Sequence, residues 1–157
     1  MNDAHLHLVL NHLPIIIPVI GLLILIGGMI FKSEVVKRTA YLIFILGAFV
    51  TIPTFATGEG AEEVIEELAG VDENLIKTHE EIADKFAILC YVLGGISLVG
   101  LWANFYKKSF STSISYLTII VCVATFYYAK QTGTTGGEIR HSEIRENAAK
   151  QPNNDED

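Results

Sequence analysis

The stretch LPIIIPVIGLLILIGGMIF, residues 13–31, runs for nineteen positions without a charge. A helix needs ~20 apolar residues to cross the hydrocarbon core of a bilayer. Only helices and closed barrels satisfy their own backbone there. Three further runs match it: residues 39–57 (nineteen long), 86–106 (twenty-one) and 109–129 (twenty-one). Asn104 is the main polar intrusion in the third, and the fourth is polar at its start only in hydroxyls. The sequence therefore predicts an all-α fold, a four-helix transmembrane bundle. Half of the 157 residues are hydrophobic, which is high for a soluble domain of this size.

Details inside the runs fit that reading. Pro14 suits a first helical turn, where its missing N–H costs nothing. Pro18 and Pro53 are expected to kink the first and second spans. Gly21, Gly27, Gly28, Gly47, Gly94, Gly95 and Gly100 read as ordinary small-residue packing between helices.

Basic residues in short loops set the orientation. Lys32, Lys37 and Arg38 lie between the first two spans, and Lys107 and Lys108 between the last two. The loop at 58–85 holds ten acids against two lysines. Both termini are therefore expected on the non-cytoplasmic side, and helical spans point to the bacterial inner membrane. All five histidines, His5, His7, His12, His79 and His141, then fall on that same side. No basic n-region or A-x-A site marks a cleavable signal peptide. The net charge of −7 argues against nucleic acid.

The outer segments carry their own pattern. Ala61, Val64, Ile65 and Leu68 follow helical spacing, with Glu62, Glu63, Glu66 and Glu67 opposite. They predict a short amphipathic helix in the outer loop, bounded by Gly58, Gly60 and Gly70. Asp72 reads as the N-cap of a helix that continues into the third span. On that helix His79 shares a stripe with Leu75, Ile82, Ala83, Phe86 and Cys90, so it points toward the bundle. Gly133, Gly136 and Gly137 are expected to end the last helix. Glu138 and His141 stand at the Glu-x-x-His spacing of di-metal carboxylate sites. The membrane domain spans 1–147, and 148–157 reads as a disordered acidic tail.

His7-x4-His12-x-Pro14 before the first span, Thr57-Gly58 at the end of the second, a histidine before the third, and Gly136-Gly137 with His141 after the fourth together resemble the domain of unknown function 2231 family of small bacterial membrane proteins. GGEIRH at 136–141 looks like its Bacteroidetes-type members. The resemblance covers roughly residues 5–143. It implies that the family's histidines carry over to His7, His12, His79 and His141, with none for His5. Such domains often occur beside or fused to c-type cytochrome modules, so the resemblance also implies haem or electron transfer.

The residues allow three readings. In the first, haem b is held without covalent attachment by His12 and His79, each on a helix. His7 and His141 then serve a second cofactor or support the first, and Arg140 pairs with a propionate. On a continuous helix His7 and His12 would diverge by ~140° and not share a face. Phe55, Phe86, Tyr127 and Tyr128 are aromatics within reach of such a group, though simple packing explains them. In the second reading the imidazoles, with Glu59, Glu138 or Glu143, hold Zn, Cu or Fe. In the third the protein is a non-catalytic accessory subunit. The implied partners are the lipid bilayer, periplasmic or membrane-bound cytochromes, and a second copy in a homo-oligomer. Catalysis by a serine or cysteine triad has no support, and independent catalytic activity is not expected, although a metal site on the imidazoles would leave uptake, sensing or hydrolysis open. There is no CxxC or CxxCH, Cys90 and Cys122 read as small buried hydrophobes, and no acid or base lies mid-span to carry protons.

Overall fold

The computed structural model describes residues 2–66 and 72–145, and they are helical throughout apart from turns. Helix α1 (Asp3–Leu10) begins where Asn2 accepts the backbone N–H of His5. It turns at Asn11 and His12 into α2 (Leu13–Ile30), with Pro14 in the first turn. Next come α3 (Glu34–Glu66), α4 (Glu73–Phe105) and α5 (Ser111–Arg140), followed by a short 3-10 turn, Ser142–Ile144. Four helices are long and apolar enough to cross a membrane, α1 and α2 counting together as the first. They form an antiparallel chain of neighbours: α2 on α3, α3 on α4, α4 on α5, with α5 closing more lightly on α2. Helix α1 folds back onto α3.

The packing leaves many large apolar side chains outside and buries hydroxyls among the core. Leu23, Ile30, Phe49 and Ile120 are each about two-thirds exposed. Buried positions instead include Thr51, Ser97, Ser115, Thr118 and Thr125. Their hydroxyls are largely satisfied within the bundle: Thr51, Thr118 and Thr125 donate to the carbonyl four residues back, and Ser115 Oγ lies 2.9 Å from the Tyr41 hydroxyl. Tyr41, Phe44, Leu25, Leu93 and Cys122 fill the centre. Small residues let helices approach, as where a Cβ on Gly94 would stand 2.5 Å from that of Ala48. Interiors of small and hydroxyl residues under an apolar exterior suit a lipid surround, where burying hydrocarbon gains nothing between helices.

Two expectations about helix ends are corrected. The acidic segment from Ala61 is no separate outer-loop helix: α3 runs unbroken through Gly58 and Gly60 to Glu66. Likewise α5 passes through Gly133, Gly136 and Gly137 to Arg140. Glycine costs a helix only ~1 kcal/mol, and several of these glycines are occupied by neighbours. A Cβ on Gly60 would meet Asp3, one on Gly136 would meet His79, and one on Gly137 would meet Ile144. Neither Pro18 nor Pro53 interrupts its helix. The N-cap at Asp72 is present, accepting the amide of Asn74 at 2.9 Å. Glu67, Leu68, Gly70 and the tail at 148–157 lie outside the described residues.

The turns α2–α3 and α4–α5 are built alike. Lys32 and Lys107 are the non-glycine residues of positive φ among those described, at 51° and 49°. Ser33 N–H bonds Gly28 C=O and Lys108 N–H bonds Ala103 C=O, each at 2.9 Å, the long bond of a Schellman cap. Between the two turns runs a polar lock. Buried Asn104 accepts from Arg38 and donates to Glu34, Lys37 pairs with Glu34 at 2.6 Å, and Arg38 lies over the Phe105 ring. Asn104→Leu removes both the acceptor and the donor at the centre of the lock. Stranded buried polar partners cost ~1–3 kcal/mol. The variant should melt about 5 °C lower in detergent, and an unchanged midpoint would mean the lock carries no stability.

Candidate functional site

The helices that begin at α1–α2 and α4 and end with α3 and α5 share one end of the bundle. All five histidines lie there. Among them the structure singles out two.

His7, on α1, is half-buried against the far part of α3. Its Nδ1 lies 3.1 Å from the Thr54 carbonyl and 3.3 Å from Thr57 Oγ1. A carbonyl only accepts, so Nδ1 carries the proton and donates. The Thr57 hydroxyl spends its own hydrogen on the carbonyls of Pro53 and Thr54, at 3.0 and 2.9 Å. The Nε2 lone pair of His7 is therefore left for another partner. Gly58 lies beneath the ring, where a Cβ would sit 3.7 Å from Cε1.

His79, on α4, repeats the arrangement against α5. Its Nδ1 lies 3.0 Å from Thr135 Oγ1. The Thr135 hydroxyl donates to the Gln131 and Thr132 carbonyls, at 3.0 and 3.3 Å, and so accepts from Nδ1. Again Nε2 is left with its lone pair. Gly136 floors this ring more tightly, since a Cβ would stand 2.9 Å from Cε1.

Both rings lie outside the uncharged runs, and both have pKa values below the ordinary imidazole value. Burial is the main cause for each. The positive charge of protonated His7 adds to the lowering at His79. The backbones of Thr54 and Thr132 act in the opposite direction. Neutral, tautomer-fixed imidazoles are the form that ligates metals.

The remaining expected site residues are placed differently. His12 is exposed in the turn before α2 and makes no side-chain capping bond. His5 is exposed. His141 is exposed and pairs with Glu143 at 2.9 Å rather than with Glu138. The pair, together with the Glu143 amide, which acts more strongly, holds that carboxyl below its usual range. Arg140 is exposed, and the backbone carbonyl of Glu138 accepts from Arg145 at 2.8 Å. Phe86 is buried beside Cys90 and Ala129, and Tyr128 packs on them, whereas Phe55 and Tyr127 are exposed. Among the described residues no group of three or more His, Cys, Asp or Glu side chains converges. A three- or four-imidazole centre is thus not assembled there.

Sequence reasoning missed Thr54, Thr57, Thr132 and Thr135 as partners of the histidines. The signal was present as a repeated Thr-x-x-Thr-Gly, at 54–58 and 132–136. The end of α3 and the start of α4 also form an acidic rim. Glu62 has a raised pKa, first from burial and then from the charges of Glu80, Glu66 and Glu59. Two open concavities of about 420 and 300 Å³ lie at the opposite end, lined by Leu98, Trp102 and Phe105 and by Ile26, Met29 and Tyr116. Comparisons with protein-family models, with curated proteins and with solved structures found no match.

Proposed function

We propose that the chain is a multi-pass protein of the bacterial inner membrane that holds haem b through His7 and His79 at its non-cytoplasmic end and takes part in electron transfer. The observation that carries this reading is the pair of half-buried imidazoles, each donating through Nδ1 and each keeping an Nε2 lone pair. Were haem b bound, His7 and His79 would hold it through Nε2, and the haem would supply one-electron chemistry. The chain's own part is to fix both tautomers, shield the rings from water and hold them neutral. The resemblance to the domain of unknown function 2231 family belongs to this proposal and rests on His7, His12 and Pro14, Thr57-Gly58, His79, and Gly136-Gly137 with His141.

Membrane insertion and orientation are supported at the other end. Trp102, Tyr106 and Phe110 cluster with ring centroids 5.7 and 6.3 Å apart, and Lys108 lies over Trp102. Aromatic rings beside exposed lysines are what a cytoplasmic headgroup layer accommodates. The acidic rim by the histidines favours a partner with a basic surface, such as a soluble or membrane-bound cytochrome.

A second reading is a single Zn, Cu or Fe ion on the same two imidazoles, which the two free Nε2 lone pairs also suit. If neither binds, the two imidazole bonds remain as interhelical ties of an accessory subunit. The deciding experiment is a visible spectrum of the detergent-purified protein, air-oxidised and dithionite-reduced, with metal analysis on the same sample. A reduced α band at about one haem per chain supports the first reading. A colourless protein with stoichiometric metal sinks it in favour of the second.

A further inference from the structure

Each half of the chain runs through the same series of features. A histidine precedes an inward span, a Schellman turn with a left-handed lysine follows, and an outward span ends in Thr-x-x-Thr-Gly. In the first half these are His7, Lys32 and Thr54–Gly58; in the second, His79, Lys107 and Thr132–Gly136. The hydrogen bonds match as well as the residues. In each half the second threonine donates to carbonyls three and four residues back and accepts from the histidine Nδ1, and the glycine after it floors the ring.

We propose that the chain is two structurally equivalent helix pairs, each carrying one imidazole seat, and that His7 and His79 present their Nε2 atoms as a matched couple to one transition-metal centre, either a free divalent ion or haem iron. This rests on the reading of the histidine pair given above and adds its positioning residues. Thr57 and Thr135 never touch the metal; they hold the proton on Nδ1. Oriented hydrogen-bond partners of this kind typically change metal affinity by ~10–100-fold. Each seat has a backbone acceptor beside its hydroxyl: the Thr54 carbonyl lies 3.1 Å from His7 Nδ1, and the Thr132 backbone acts on His79 in the same direction. Thr57→Val and Thr135→Val should therefore cost comparable affinity.

The test has two arms on the full-length protein in detergent. In the ligand-free protein, ¹⁵N-histidine NMR above pH 7.5 should show both rings as Nδ1–H tautomers. Thr135→Val should release His79 into a mixture, and Thr135→Ser should restore it. Unlike tautomers in the two rings, or no response to Thr135→Val, overturns the seats whatever binds. In the second arm Zn²⁺ and haem are titrated separately into wild type, His7→Ala, His79→Ala and the double variant. One shared centre requires each single variant to lose nearly as much affinity as the double. Additive losses, an effect confined to one histidine, or binding of neither probe overturns the matched couple. Zn²⁺ binding without haem binding, with the same non-additivity, upholds it and removes only the haem reading.

Discussion

Alanine at His79 or at His7 should reduce bound haem to below about one tenth of the wild-type content, whereas alanine at His12 should leave it unchanged. If His7 and His79 together hold the haem, loss of either would leave it on a single imidazole, too weak a hold for a group that is not covalently attached. Neither replacement should unfold the bundle. Each removes one hydrogen bond worth ~1 kcal/mol from helices held together along their whole lengths. Circular dichroism on the same samples separates lost ligation from lost fold. The sequence alone puts His12 at the top of the first span, but it lies in the turn before α2, its side chain is exposed and it lacks the seat that His7 and His79 share. Haem lost from His12→Ala and kept in His7→Ala would return the ligand pair to His12 and His79.

The spans were legible because length and absence of charge are sufficient evidence for a membrane-scale helix, and nothing in residues 13–31 or 39–57 competes with it. The inward face of His79 was legible for a related reason, since a helical stripe with Leu75, Ile82 and Phe86 fixes direction once the helix is granted. The outer ends were not. Gly58, Gly60, Gly136 and Gly137 look like helix stops by local propensity, yet tertiary contacts reverse their meaning: several are small so that His7, Asp3, His79 and Ile144 can approach. Choosing His7 over His12 required knowing that the chain turns at Asn11 and His12, which lays α1 against α3. The threonines were overlooked because hydroxyls in an apolar helix usually bond their own carbonyls. Thr57 and Thr135 do so and accept a histidine proton as well.

Gly28→Ala should destabilise the bundle by about 2 kcal/mol while Gly27→Ala, one position earlier, should stabilise it by about 0.5–1 kcal/mol. A Cβ on Gly28 would stand 2.9 Å from the backbone nitrogen of Lys37 and 3.2 Å from the carbonyl carbon of Val36. Both are main-chain atoms in the first turns of α3 and cannot rotate aside. Retreat would drag Lys37, which is buried and paired with Glu34, and with it the lock through Asn104 and Arg38. Nothing lies within 4 Å of the corresponding position on Gly27. There the substitution only removes glycine's excess freedom in the unfolded chain. Thermal unfolding in detergent, followed by circular dichroism, should separate the two variants by about 5–12 °C. Equal midpoints would mean that α2 and α3 do not meet closely at their shared turn, and the resemblance of that turn to the one at Lys107 would lose its structural meaning.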